Sequence, residues 1–160
     1  MSNETISTTC AVAGGGPAGL MLGFLLARAG VPVVVLEKHA DFLRDFRGDT
    51  IHPSTLELMA ELGLDEAVLR LPHQKVPRIG GTFGGETLLF AEFSRLPVRH
   101  PFIAMMPQWD FLNFLAERGR RYPNFSLFME ANVEDLLHAN GRVAGLMART
   151  STGQLGGRAD

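Results

Sequence analysis

The chain has 160 residues, 46% of them hydrophobic and 20% charged, with a formal net charge of −2. This is the composition of one soluble domain that can bury a core, and with no Lys/Arg run longer than two residues it excludes a nucleic-acid surface. The one cysteine, Cys10, excludes an intrachain disulfide, reads as a small buried filler in an apolar strand, and points to a reducing, cytoplasmic setting.

Residues 8–13 predict a short apolar strand. Pro17 then opens a helix, where its missing N–H costs nothing, and Gly30 ends it. Val33–Leu36 is apolar on both faces, as a parallel strand covered by helices is. Residues 8–37 therefore make a complete βαβ unit. An irregular stretch follows. Ser54 to Glu57 reads as a capping box opening a helix that stops at Gly63, and a second short helix covers about 65–71. Residues 75–94 read as two strands around Gly84-Gly85, with a bulge or bend at Gly80-Gly81. A helix over 108–121 carries the apolar stripe Phe111, Leu112, Leu115 and Ala116, and Trp109 and Phe114 also read as core. Phe125–Phe128 is a strand, 133–137 and 143–149 form a hairpin around Asn140-Gly141, and Thr152-Gly153 turns the chain into a last strand.

Residues 10–36 hold one charge, Arg28, which raises a membrane span as a possibility. Glycines and prolines interrupt the run, and its longest helix spans about 20 Å against a bilayer core of about 30 Å. The segment reads as buried in protein, with no membrane span.

The spacing Gly14-x-Gly16-x-x-Gly19 sits between a strand and a helix. Gly14 permits a tight turn, Gly16 lets a pyrophosphate approach the backbone, and Gly19 allows close helix packing. The helix N-terminus offers unpaired N–H groups and partial positive charge to phosphates. Glu37 ends the second strand, where a carboxylate accepts hydrogen bonds from both hydroxyls of an adenosine ribose and repels a 2′-phosphate. NADP is thereby excluded, leaving NAD and FAD. An NAD-type half would continue into a third parallel strand soon after the second, whereas this chain gives an Arg/Asp loop and a helix.

The stretch AVAGGGPAGLMLGFLLARAGVPVVVLEK, with RGDTIHPSTLELMAELGL and MPQWDFLNFLAE, resembles the N-terminal part of the FAD-dependent aromatic hydroxylases of the para-hydroxybenzoate hydroxylase type. The resemblance covers nearly the whole chain, with the three motifs in the family's order. It implies an α/β FAD/NAD(P)-binding fold of Rossmann-like type with a parallel sheet, and the start of a small substrate-covering β-sheet in an excursion over 75–104. It also implies FAD as cofactor, NAD(P)H as transient reductant, and O2-dependent hydroxylation of an aromatic or similar apolar substrate. Gly14, Gly15, Gly16, Pro17, Ala18 and Gly19 would line the pyrophosphate. Glu37 would hold the ribose and Lys38 flank the adenine. Arg47 would approach the ribityl–phosphate side, Gln108 the ribityl chain, and the Val133 backbone the adenine. Read without the family, Arg47 is also a solvated arginine beside Asp45 or Asp49, and Gln108 also a helix cap.

None of the five histidines has metal-ligand spacing, and no catalytic residue is expected, because the flavin carries the chemistry. The family has two further motifs, an Asp-Gly and a Gly-Asp pair, beyond the point where this sequence reads GGRAD. The expectation is therefore an incomplete N-terminal portion, 1–160, of an FAD-binding domain. The alternatives are a truncated, non-catalytic dinucleotide-binding module or an NAD-linked oxidoreductase.

Overall fold

Val33–Leu36 reads VVVL and is buried along its whole length. It forms the middle strand of a parallel sheet around which one part of the molecule is built. The computed structural model describes residues 2–43 and 48–159. They divide into two units, Met1–Leu43 with Leu112–Asp160, and Arg44–Phe111. In chain order the elements are β1 (Ser2–Thr8), β2 (Cys10–Ala13), α1 (Pro17–Arg28), β3 (Val33–Leu36), β4 (Thr50–Ile51), α2 (Pro53–Glu61), α3 (Asp65–Val68), β5 (Gln74–Val76), β6 (Arg78–Phe83), β7 (Glu86–Glu92), β8 (Ile103–Met105), α4 (Gln108–Gly119), β9 (Phe125–Phe128), β10 (Asn132–Ala139), β11 (Arg142–Thr150) and β12 (Gly153–Ala159).

In the first unit β2, β3 and β9 lie in that order, all parallel. The third parallel strand thus arrives only at Phe125, as the absence of an early third strand in the sequence predicts. Alternation along β3 sorts its side chains between two layers. Val35 faces α1 so closely that a Cβ on Gly23 would lie 2.6 Å from its Cγ2. Val34 and Leu36 face the other way and pack with Ala131, Ala148 and Leu155. Those three belong to the segment entering β10 and to the sheet β1-β12-β11-β10, so the parallel sheet lies between a helix and a second sheet. Each fully buried Val or Leu in such a layer contributes about 1.5–3 kcal/mol. Asn124 fastens the end of α1 to this core, donating from Nδ2 to the carbonyls of Ala27 and Val31 at 3.0 Å each.

Several local readings match. Asn140 and Gly141 (φ 52° and 74°) make the tight turn between β10 and β11. In the second unit Gly84 and Gly85 (φ 58° and 88°) join β6 to β7, with a bulge between Ile79 and Gly80. On α4, Phe111, Leu112, Leu115 and Ala116 are buried. Among the described residues no helix is long and apolar enough to cross a membrane.

Other readings are corrected. The N-terminal strand begins at Ser2, well before residue 8, and breaks at Thr9. Its polar first part pairs with β12 in parallel, while Cys10–Ala13 pairs with β3. Cys10 is half-buried, because β2 lies at the edge of its three-stranded sheet, and Trp109 is half-buried too. The capping box does not form. Pro53 starts α2 one residue earlier, with His52 at the N-cap and no side-chain cap, and the Glu57 carboxylate accepts the N–H of Arg99 instead, at 3.1 Å. The helix expected over 65–71 is one turn, Asp65–Val68.

The second unit also contains the antiparallel sheet β4-β8-β5. Its α3 is held by a charged cluster. The buried Asp65 carboxylate receives His100 Nε2 at 2.8 Å and Arg99 Nε at 3.1 Å on the same oxygen. The β6–β7 hairpin is exposed, with Phe83 and Phe90 meeting edge to face, ring centroids 5.8 Å apart.

Candidate functional site

The glycine loop connects β2 to α1, and each glycine meets a different constraint. Gly14 has φ +100°, a conformation that side chains disfavour, and its N–H donates to the Leu36 carbonyl at 2.8 Å. The loop is thereby tied to the end of β3. A Cβ on Gly19 would lie 1.9 Å from the Gly14 carbonyl oxygen and 3.3 Å from Val12 Cγ1, so helix and turn close on each other here. Gly16 is the N-cap of α1 with ordinary φ −73°, and a Cβ there would meet nothing within 4 Å. The space beside it is open. Pro17 and Ala18 are exposed at the start of the helix, whose first turn carries no acidic side chain. First-turn N–H groups have no intrahelical acceptor and carry partial positive charge, so this end of α1 favours an anion.

Gly15 has a constraint that its spacing does not reveal. Its N–H donates to Glu37 Oε2 at 2.7 Å across the end of the sheet, and a Cβ on Gly15 would lie 2.9 Å from Glu37 Cβ. The other oxygen, Oε1, receives the His39 N–H at 3.0 Å and the His39 ring Nδ1 at 2.5 Å. Facing a carboxylate, that ring nitrogen carries the proton. Burial opposes ionisation of Glu37, but the hydrogen bonds from the His39 ring, the Gly15 N–H and the His39 N–H outweigh it and hold the carboxyl below its ordinary range. The segment is pinned from the β9 side. Glu37 N–H donates to the Phe128 carbonyl, Ala131 N–H to the Glu37 carbonyl and Glu130 N–H to the His39 carbonyl, at 2.8–2.9 Å. Glu37 is thus a fixed negative charge beside a glycine loop and a helix N-terminus.

Of the other expected residues, Lys38 is exposed next to Glu37. Val133 turns its side chain to the core cluster and pairs with Ala148. A cavity of about 240 Å³ opens beside Phe128, Thr150 and Gln154, and none of the expected contacts lines it. In the second unit, Gln108 starts α4 with its N–H on Asp49 Oδ1 at 3.2 Å, so Asp49 supplies the cap there. Met106 N–H donates to the Asp49 carbonyl at 3.0 Å. Gly48 has φ +73°, and a Cβ on it would lie 2.9 Å from Gln108 Nε2. Gly48 and Asp49 therefore meet the start of α4, Asp49 and Gln108 being 59 residues apart in sequence. Arg47 lies outside the described residues. Among the described residues no group of His, Cys, Asp and Glu is arranged to hold a metal ion. The residue that the sequence reading missed is His39, whose only signal was its position two after Glu37.

Comparison with known proteins places these features in a wider set. Residues 7–155 match the FAD binding domain family. The chain is 31% identical over 153 residues to a 6-methylpretetramide 4-monooxygenase of Streptomyces rimosus, covering 96% of this chain and 37% of that protein. It is 34% identical over 77 residues to the p-hydroxybenzoate hydroxylase of Acinetobacter baylyi, covering 46% of this chain and 19% of the relative. Among solved structures, p-nitrophenol 4-monooxygenase from Pseudomonas putida DLL-E4 superposes with a TM-score of 0.82 at 27% identity, covering 98% of this chain and 40% of that one. The chain thus spans well under half the length of the relatives it matches.

Proposed function

We propose, since this chain belongs to the FAD binding domain family, that its glycine loop, α1 N-terminus and Glu37 hold the ADP half of FAD in a flavin-dependent monooxygenase. The observation that carries the reading is the Gly15–Glu37 hydrogen bond, which sets a carboxylate beside a loop whose Gly16 is open to a ligand. The residues fit the group. An anion meets first-turn N–H groups and no acidic side chain, and a ribose meets a carboxylate held in its acceptor form.

In this reading the fold is Rossmann-like. Gly14, Gly15, Gly16, Pro17, Ala18 and Gly19 line the pyrophosphate, Glu37 binds the ribose, and Lys38 and the Val133 backbone border the adenine. Gln108 serves the ribityl chain and Arg47 its ribityl–phosphate side, a reading supported by the closeness of Gln108 to Gly48, where a Cβ would lie 2.9 Å from Gln108 Nε2. Residues 75–104 begin the substrate-covering sheet, and 1–160 form the N-terminal portion of the FAD-binding domain. Bound FAD would supply the redox chemistry, with NAD(P)H as the source of reducing equivalents and O2 as the oxygen donor for hydroxylation of an aromatic or similar apolar substrate, in a cytoplasmic setting. This chain's residues bind and orient the cofactor, and none is assigned an acid or base role.

The test is competition: FAD quenches on titration into the protein, and ADP displaces it. Uptake of FAD that ADP leaves undisturbed would remove the loop and Glu37 from the site.

A further inference from the structure

The Glu37 carboxylate has two oxygens and about four acceptor positions. Among the described residues three hydrogen bonds already use three of them: Gly15 N–H on Oε2, and both the His39 N–H and the His39 ring Nδ1 on Oε1. At most one acceptor position is left. A ribose that donates both hydroxyls to this carboxylate needs a protein donor to withdraw.

The three donors differ in their freedom to do so. The Gly15 N–H belongs to a loop tied down by Gly14 N–H on Leu36 and by Leu20 N–H on the Gly16 carbonyl, at 2.8 and 2.9 Å. The His39 N–H belongs to a segment held by Glu130 N–H on the His39 carbonyl at 2.9 Å. The His39 ring is a side chain, 43% exposed, and leaves by rotation about its own side-chain bonds. We propose that the His39 ring occupies the place of one ribose hydroxyl on Glu37 and exchanges with it when the ADP moiety binds, so that His39 limits how much the ribose contributes to affinity.

The inference rests on the reading of Glu37 as the ribose acceptor. Its arithmetic is that of an exchange. A hydroxyl that replaces an existing hydrogen bond gains less than one that meets a vacant acceptor. Removing the ring's donor should therefore strengthen ribose recognition, the reverse of what a supporting residue does. His39→Asn, whose side-chain amide restores a donor near the Nδ1 position, should return the behaviour towards wild type.

The experiment is calorimetric titration of the protein with ADP and with 2′-deoxy-ADP, for wild type, His39→Ala, His39→Asn and Glu37→Ala. His39→Ala is expected to bind ADP about two- to tenfold tighter, the span of one net hydrogen bond. Its preference for ADP over 2′-deoxy-ADP should rise with it, while His39→Asn stays near wild type. An ADP affinity that is unchanged or weaker in His39→Ala, or an unchanged preference, overturns the proposal, and so does a His39→Asn protein that behaves as His39→Ala. Glu37→Ala separates the two levels. If it leaves both the affinity and the preference at wild-type values, the ribose reading itself falls. If it lowers both while the His39 variants do not respond, only the exchange falls.

Discussion

Gly15 donates its N–H to Glu37 Oε2 at 2.7 Å, joining the phosphate-type loop to the acid 22 residues later. The contact explains why position 15 is glycine although its φ is unremarkable: any Cβ there would meet the Glu37 side chain at 2.9 Å. Gly15→Ala should displace the carboxylate while leaving the β2-α1-β3 frame intact. Overpacking of this kind costs about 1–3 kcal/mol. We expect FAD affinity, read by fluorescence quenching, to fall by about tenfold with a cooperative thermal transition retained.

Gly16 and Gly19 should separate binding from folding. A side chain at Gly16 enters open space, and serine is a good N-cap, so Gly16→Ser should change stability by no more than about 0.5 kcal/mol. It should still impair FAD binding if the pyrophosphate approaches Gly16 as proposed, because the hydroxymethyl group would fill that open space. Gly19→Ala places its methyl 1.9 Å from the Gly14 carbonyl oxygen and should destabilise the protein by about 1–3 kcal/mol. Denaturant midpoints alongside FAD titrations would check both; equal stability losses in the two variants would contradict the geometry.

Much of this was legible because it is local. Glycine and proline at β2-α1-β3 and the Gly84-Gly85 and Asn140-Gly141 turns act through the backbone at their own positions. What the sequence did not reveal depends on partners far along the chain. Ser2–Thr8 is polar and becomes a strand because β12 lies beside it. The capping box failed because Pro53 is a better helix start and Glu57 has a partner 42 residues away. Gly15 and His39 acquire their significance from the position of the Glu37 carboxylate, which no spacing rule gives.

Gly48 tests the meeting of Gly48 and Asp49 with the start of α4. Its φ of +73° and the Gln108 amide 2.9 Å from a would-be Cβ both disfavour a side chain. Gly48→Ala should cost about 1–2 kcal/mol from backbone conformation alone. Equilibrium urea unfolding is the measurement, and a variant as stable as wild type would contradict the loop conformation.

The Asp65 cluster gives the second unit a pH dependence. The hydrogen bond from His100 is the main cause holding the Asp65 carboxyl below its ordinary range, against burial, with the Glu66 N–H and Arg99 adding to it. A carboxyl depressed in the folded state contributes stability above its unfolded value and loses it as pH falls through the folded one. Asp65→Asn should therefore be less stable than wild type at neutral pH, with the gap closing below about pH 4. Urea midpoints across that range would show it; a gap independent of pH would remove the carboxylate as its cause.

On the proposed reading, Glu37 and the glycine loop form an ADP-binding site for FAD. Titration of wild type and Glu37→Ala with FAD, followed by flavin fluorescence, tests it most directly. Hydrogen bonds to a charged group contribute about 1.5–3 kcal/mol, so Glu37→Ala should lose roughly tenfold or more in affinity. Equal affinities in the two proteins would contradict it.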